Sequence, residues 1–120
     1  MIRLILLLAI AATADNVTIW GAGVNSCGKV LSGRVESSEG GLVLDWPTGQ
    51  WVLGYLSATV AIAPKLNPDL SSLDSYAITA FIVKHCEDNP LANLKDASIA
   101  LIRAKLEMDA ARAKPAPPLK

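Results

Sequence analysis

The stretch Asp45-Trp46-Pro47-Thr48-Gly49-Gln50-Trp51-Val52-Leu53-Gly54-Tyr55-Leu56-Ser57-Ala58-Thr59-Val60-Ala61-Ile62-Ala63 decides the fold. Proline suits the first turn of a helix, where its missing N–H costs nothing, so Asp45-Trp46-Pro47-Thr48 reads as a helix start. Trp51, Tyr55, Ala58, Thr59 and Ile62 then form one stripe, and Val52, Leu53, Leu56 and Val60 cover most of the rest. A helix that is apolar nearly all round belongs at the centre of its domain. Gly54 and Ala58 make a flat strip that a neighbouring helix can approach closely, while Trp51 and Tyr55 are expected as core aromatics with polar tips near the surface. The apolar run from Trp51 is only 13 residues long and contains Gly54, Tyr55, Ser57 and Thr59. A bilayer takes about 20, so this is not a membrane span.

On the C-terminal side, Pro64 and Pro68 end the helix and fix a connection through Asn67 to Ser72. Asp74 or a preceding serine caps a third helix with Tyr76, Ala77, Ala80, Phe81 and Lys84 at spacings of three and four, and its end carries Cys86. Asn89-Pro90 reads as cap and first position of a fourth helix, from about Pro90 to Ala113. Its inward stripe is Leu91, Leu94, Ala97 or Ser98, Leu101, Ile102, Lys105 and Leu106. On the N-terminal side, Asn25 or Ser26 caps a short first helix from about Cys27 to Arg34, with Cys27, Val30 and Leu31 facing inward. Ser37-Ser38-Glu39-Gly40-Gly41 reads as a loose surface loop. The expected fold is therefore all-α, a small four-helix orthogonal bundle over residues 26–113. Trp51, Tyr55, Leu56, Phe81, Leu94 and Leu101 are its expected core.

The ends speak to location. Arg3, the apolar run Leu4 to Ala12 and the small-residue site before Asp15 have the form of a secretory signal peptide, residues 1–14, with a cut after Ala14 or Ala11. Residues 15–25 read as an extended lead-in in which Gly21 and Gly23 break regular structure. The tail 114–120, with Pro115-Ala116-Pro117-Pro118, is expected to be extended and disordered. The expected location is periplasmic or secreted. There the only thiols, Cys27 and Cys86, meet oxidising conditions, and a single disulfide is the default reading. It would close a loop of about 60 residues, worth roughly 4 kcal/mol by chain entropy.

Eleven basic and eleven acidic side chains leave no positive excess to attract nucleic acid. A Cys–His nucleophile pair fails on geometry, because neighbours on a helix such as His85 and Cys86 point about 100° apart. A metal site needs three or four ligands, and one histidine with two cysteines and scattered carboxylates does not supply them. No catalytic, cofactor-binding or metal residue is assigned, no cofactor is expected, and an enzyme is not expected. His85 is expected at the surface near a helix C-terminus.

The segment Cys86-Glu87-Asp88-Asn89-Pro90-Leu91-Ala92-Asn93-Leu94-Lys95-Asp96 resembles the start of the last helix in the HdeA/HdeB family of periplasmic acid-stress chaperones, with Leu94 at a position that is aromatic there. Gln50 to Ala58 is similar to a "GY-apolar-small" helix of that family's wider relatives, and it also resembles the Tai-type immunity proteins that neutralise secreted peptidoglycan amidases. The similarity covers roughly Ser26 to Leu106. The spacing between the cysteines is longer than in the chaperones, the immunity proteins usually carry further cysteines, and the tail after Leu106 has no counterpart. The resemblance carries over no catalytic residue; it carries over the Cys27–Cys86 disulfide. It implies a non-enzymatic holdase that opens in acid and binds unfolded clients. The alternatives are an immunity-type inhibitor that reads a protein partner through Ser37–Gly41 or Leu66–Ser72, and a structural protein of the envelope.

Overall fold

The structure, a computed structural model, describes residues 18–66 and 70–113. The signal segment 1–14, Pro68 and the tail 114–120 lie outside the described residues. A 3₁₀ turn (Gly21–Val24) leads into α1 (Cys27–Ser32), the strands β1 (Val35–Glu36) and β2 (Leu42–Val43), and α2 (Trp46–Ile62). A second 3₁₀ turn (Pro64–Leu66), α3 (Ser75–Asp88) and α4 (Leu94–Ala113) follow. The chain is mostly helical, but the all-α expectation is corrected by the two strands.

The strands flank the expected surface loop Ser37–Gly41, which becomes the turn of a short hairpin. They pair antiparallel, Val35 with Val43 and Glu36 with Leu42. Within the turn the Ser37 N–H donates to the Gly41 carbonyl (3.0 Å), the Gly40 N–H to the Ser37 carbonyl (3.0 Å), and the Ser37 hydroxyl to the Gly40 carbonyl (2.8 Å). Gly40 and Gly41 sit at φ +90° and +82°, a region that residues with a β-carbon rarely enter. Order here comes from backbone hydrogen bonds and glycine conformations, which apolar patterning does not reveal.

In α2, Asp45 is the N-cap: its Oδ1 accepts from the Thr48 N–H at 2.9 Å, and Pro47 occupies the first turn. The helix is not enclosed. Thr48, Val52 and Leu56 are buried and Trp51, Tyr55, Thr59 and Val60 half-buried, whereas Leu53, Gly54, Ser57, Ala58, Ala61 and Ile62 are exposed. In so small a domain α4 and the two 3₁₀ turns pack against one side of α2. Among the described residues no helix packs on the flat strip at Gly54 and Ala58, and a β-carbon on Gly54 would meet nothing within 4 Å.

The fourth helix starts four residues later than Asn89-Pro90 suggests. Asn89 instead closes α3, donating from its backbone N–H (2.9 Å) and from Nδ2 (3.0 Å) to the His85 carbonyl. Pro90 and Leu91 form a turn closed by the Ala92 N–H on the Asn89 carbonyl (3.0 Å), and Leu91 is fully exposed rather than inward. Asn93 is the true cap. Its Oδ1 accepts from the Asp96 N–H (2.9 Å), and the Asp96 carboxylate accepts in return from the Asn93 N–H (3.4 Å), a reciprocal capping box. Asparagine serves either end of a helix, so Asn89 and Asn93 are locally equivalent signals.

Of the lead-in, residues 18–25 are described, and Gly21–Val24 form a 3₁₀ turn rather than extended chain. Gly23 is buried against Trp51, and the Trp51 indole N–H donates to the Trp20 carbonyl at 2.9 Å. The core runs through Cys27, Val30, Leu44, Val52, Leu56, Ile78, Ile82, Cys86, Leu94, Ala97 and Leu101. Cys27, the first residue of α1, and Cys86, in the last turn of α3, form the disulfide with Cα atoms 4.8 Å apart, both fully buried. Ser98 is fully buried and its hydroxyl donates to the Leu94 carbonyl at 2.9 Å; among the described residues no buried side-chain nitrogen or oxygen is left without a partner.

Candidate functional site

On α3, Ile78, Ile82 and Cys86 recur every four residues and are buried, which turns Tyr76, Ala80, Val83 and Glu87 to the opposite side. That side faces the hairpin across a cleft of about 680 Å³. Leu42, Val43, Ala80 and Val83 supply its apolar lining, and Ser37, Ser38, Glu39, Tyr76, Thr79, Lys84 and Glu87 its polar lining. At one end the Tyr76 hydroxyl donates to Glu39 Oε2 at 2.6 Å, which clasps the hairpin tip to α3. The bond to the Glu39 carboxylate pushes the Tyr76 hydroxyl above its usual value, with desolvation and nearby Asp74 acting in the same direction. At the other end Lys84 pairs with Asp88 at 3.1 Å and Arg34 lies 4.0 Å from Glu87. The cleft can hold an extended segment of a protein: it has apolar walls for side chains and exposed polar groups at its rim.

Two smaller concavities flank it. One, of about 480 Å³, is lined by His85, Asp96, Ile99, Arg103 and Glu107 between α3 and α4. His85 is half-buried there, stacked on Phe81 with ring centroids 6.1 Å apart. The other, about 350 Å³, is an apolar notch between α2 and the segment leading into α3, lined by Leu53, Leu56, Val60, Leu70, Leu73 and Ile78.

Carboxylates stand at the start of all three long helices. Asp45 caps α2, Asp74 caps α3 through the Ala77 N–H (2.7 Å), and Asp96 shares the capping box of α4. The Thr48 side chain, then its backbone N–H, hold the Asp45 carboxyl below the ordinary carboxylate range, against a small opposing effect of burial. Further along, Asp109 of α4 pairs with Lys105 at 3.0 Å.

Of the residues singled out from sequence, Cys27 and Cys86 are joined to each other, and among the described residues there is no free thiol. Leu56, Leu94 and Leu101 are buried. Trp51, Tyr55 and Phe81 are half-buried at the edge of the core, Trp51 and Tyr55 stacked at 5.2 Å. Its fully buried centre includes Val52 and Ile82, which sequence reasoning did not select. The signal was available: counting back by fours from Cys86 gives Ile82 and Ile78, and from Leu56 gives Val52 and Thr48. Of the proposed reader loop Ser37–Gly41, Ser37, Ser38, Glu39 and Gly40 line the hairpin–α3 cleft, whereas in the 66–72 connection Leu70 is buried and residues 67–69 lie outside the described residues.

Among the described residues no group of three His, Cys, Asp or Glu is placed to hold a metal ion, and no helix is long and apolar enough to cross a membrane. No family model, curated protein or solved structure matches the chain.

Proposed function

We propose that this chain is an exported, non-enzymatic protein-binding protein of the periplasm, of the acid-stress holdase type, its four helices acting as a small orthogonal bundle on the Cys27–Cys86 staple. The observation that carries the reading is the placement of Asp45, Asp74 and Asp96 at the starts of the three long helices. A carboxylate at a helix start accepts from otherwise unpaired N–H groups and complements the helix dipole, and it does both best when ionised. For Asp45 the folded-state value is depressed. Its stabilisation is complete above the unfolded carboxylate range, near pH 4, and is lost as pH falls through the lower folded value. Acid also removes the compensating negative charge. The cleaved chain then carries about +12 from ten Lys and Arg, His85 and its N-terminus, and repulsion adds to the loss of the Asp45 cap. The opened helices expose the apolar stripes that would hold unfolded clients, while the disulfide keeps the chain tethered for refolding.

The test is direct. The purified protein near pH 2 should lose near-ultraviolet circular dichroism, bind an apolar dye, suppress aggregation of an unrelated acid-denatured protein, and regain its compact form at neutral pH. A protein that keeps its tertiary signal at pH 2, or that opens without protecting any client, defeats the holdase reading.

The hairpin–α3 cleft favours a second reading, an immunity-type inhibitor that takes a segment of a secreted cell-wall hydrolase. Inhibition of such a hydrolase at neutral pH, lost on substituting Tyr76 or Val83, would put that reading first.

A further inference from the structure

The hairpin meets its cleft with an edge. In the β1–β2 pair the Ser37 N–H donates to the Gly41 carbonyl, so the next pair along, Glu36 and Leu42, is not bonded across the ladder. The alternation of an antiparallel ladder then turns the N–H and C=O of Leu42 outward, on the side of β2 that β1 does not cover. Leu42 and Val43, whose side chains point to opposite faces, both line the cleft, whereas their partners Glu36 and Val35 do not. The cleft therefore borders the free edge of β2. Among the described residues no backbone hydrogen bond joins Leu42 to another element, and Leu42 is 52% exposed.

Charge along the cleft is uneven. At the hairpin tip Glu39 accepts through Oε2 from the neutral Tyr76 hydroxyl, its Oε1 has no partner among the described residues, and Asp74 is near enough to act on the same hydroxyl. Among the described residues no Lys or Arg is paired with either carboxylate. At the other end the charges balance, Lys84 with Asp88 and Arg34 near Glu87.

We propose, resting on the second reading above, that the cleft takes the partner's segment as a third strand on β2, with a Lys or Arg of that segment against Glu39. The outward N–H and C=O of Leu42 select an extended polypeptide, which returns an acceptor and a donor at the matching spacing. Ala80 and Val83 on α3 receive its apolar side chains. The uncompensated carboxylate at the tip decides which end of the segment is basic. The chain's own residues 114–120 suit the edge poorly, because Pro115, Pro117 and Pro118 lack the N–H groups that a strand donates.

A displayed library of random heptapeptides, panned on the full chain at neutral pH, should enrich sequences that alternate apolar residues and carry Lys or Arg near one end. When a synthetic peptide of the enriched sequence binds, exchange of the Leu42 amide hydrogen should slow by about tenfold or more. N-methylation of the peptide amides that face β2 should weaken binding by about tenfold or more, and methylation of the alternate set should do far less. Glu39→Gln should weaken the peptide by about threefold and leave its counterpart with glutamine at the basic position unaffected. Enrichment of no sequence overturns both strand addition and the cleft as a site for a segment. A peptide that binds with Leu42 exchange unchanged, and equally well with either set methylated, overturns strand addition alone. Indifference to Glu39→Gln overturns the basic end.

Discussion

Ser26 and Asn93 stand opposite each other in an antiparallel bridge, and each is the N-cap of its own helix. The Cys27 N–H donates to the Ala92 carbonyl at 2.8 Å and the Leu94 N–H to the Asn25 carbonyl at 3.0 Å, so α1 and α4 start from one shared point. The disulfide leaves from the same place, since Cys27 follows Ser26 directly. The start of α1 is thereby fixed to the end of α3, 59 residues further along, and to the start of α4 just beyond it. Leu94, which follows Asn93, and Ile82, one turn before Cys86, are the largest of the fully buried side chains.

The cap on α4 can be tested by itself. Asn93→Ala should destabilise the protein by about 1 kcal/mol, whereas Asn89→Ala, at the end of α3, should cost less. Chemical denaturation of both variants measures the difference; equal losses would contradict the placement of the helix start.

Removal of the staple should be costlier. With Cys27 and Cys86 both replaced by alanine, the loss should be about 2 to 5 kcal/mol, enough to unfold a domain of this size near body temperature. Two alkylatable thiols in the native exported protein would contradict the disulfide itself.

Gly23 is held to glycine by Trp51. A β-carbon there would collide with the indole and would lie 2.7 Å from Ile19 Cγ2, so Gly23→Ala should cost about 1 to 3 kcal/mol through overpacking. Because the obstacle is one ring, Gly23→Ala combined with Trp51→Leu should cost less than the sum of the two single changes. Strict additivity in a double-mutant cycle would show that the ring is not the obstacle.

Asp45 supplies the pH prediction. Asp45→Asn keeps a good cap at neutral pH and should leave stability there nearly unchanged, but it should remove the part of the acid response that belongs to this carboxylate. Wild-type and variant Tm values should therefore lie close together at pH 7, with the wild type falling more steeply below about pH 4, where its depressed carboxyl takes up a proton. Parallel curves would remove Asp45 from the acid response.

Leu56→Ala should cost about 2 to 5 kcal/mol, since Leu56 is buried on the inner side of α2. Leu53→Ala, three residues earlier and exposed, should cost far less in the monomer. The contrast checks which side of α2 is inside.

By itself the sequence determined where helices could exist. The aspartate ahead of α2 and the proline in its first turn, Asp74 ahead of α3 and the periodic apolar residues of each are local signals, acting within one or two turns, and these two helices follow them closely. Two thiols in a chain read as exported likewise left a single pairing. Tertiary structure decided the rest, because the remaining choices are between locally equivalent options. Asn89 and Asn93 are both able to cap, and Asn93 was selected by the backbone bridge to Ser26, a partner 67 residues away. α2 is apolar on every side, so its composition does not say which face is buried. The packing of α4 and the 3₁₀ turns chose Thr48, Val52 and Leu56 and left Trp46, Gly54, Ala58 and Ile62 to solvent. The hairpin and its cleft against α3 depend on backbone bonds across a glycine turn and on one side-chain contact, Tyr76 to Glu39, between residues 37 apart. Hydrogen bonds between distant segments leave no periodicity in the sequence, and so only the folded chain displays them.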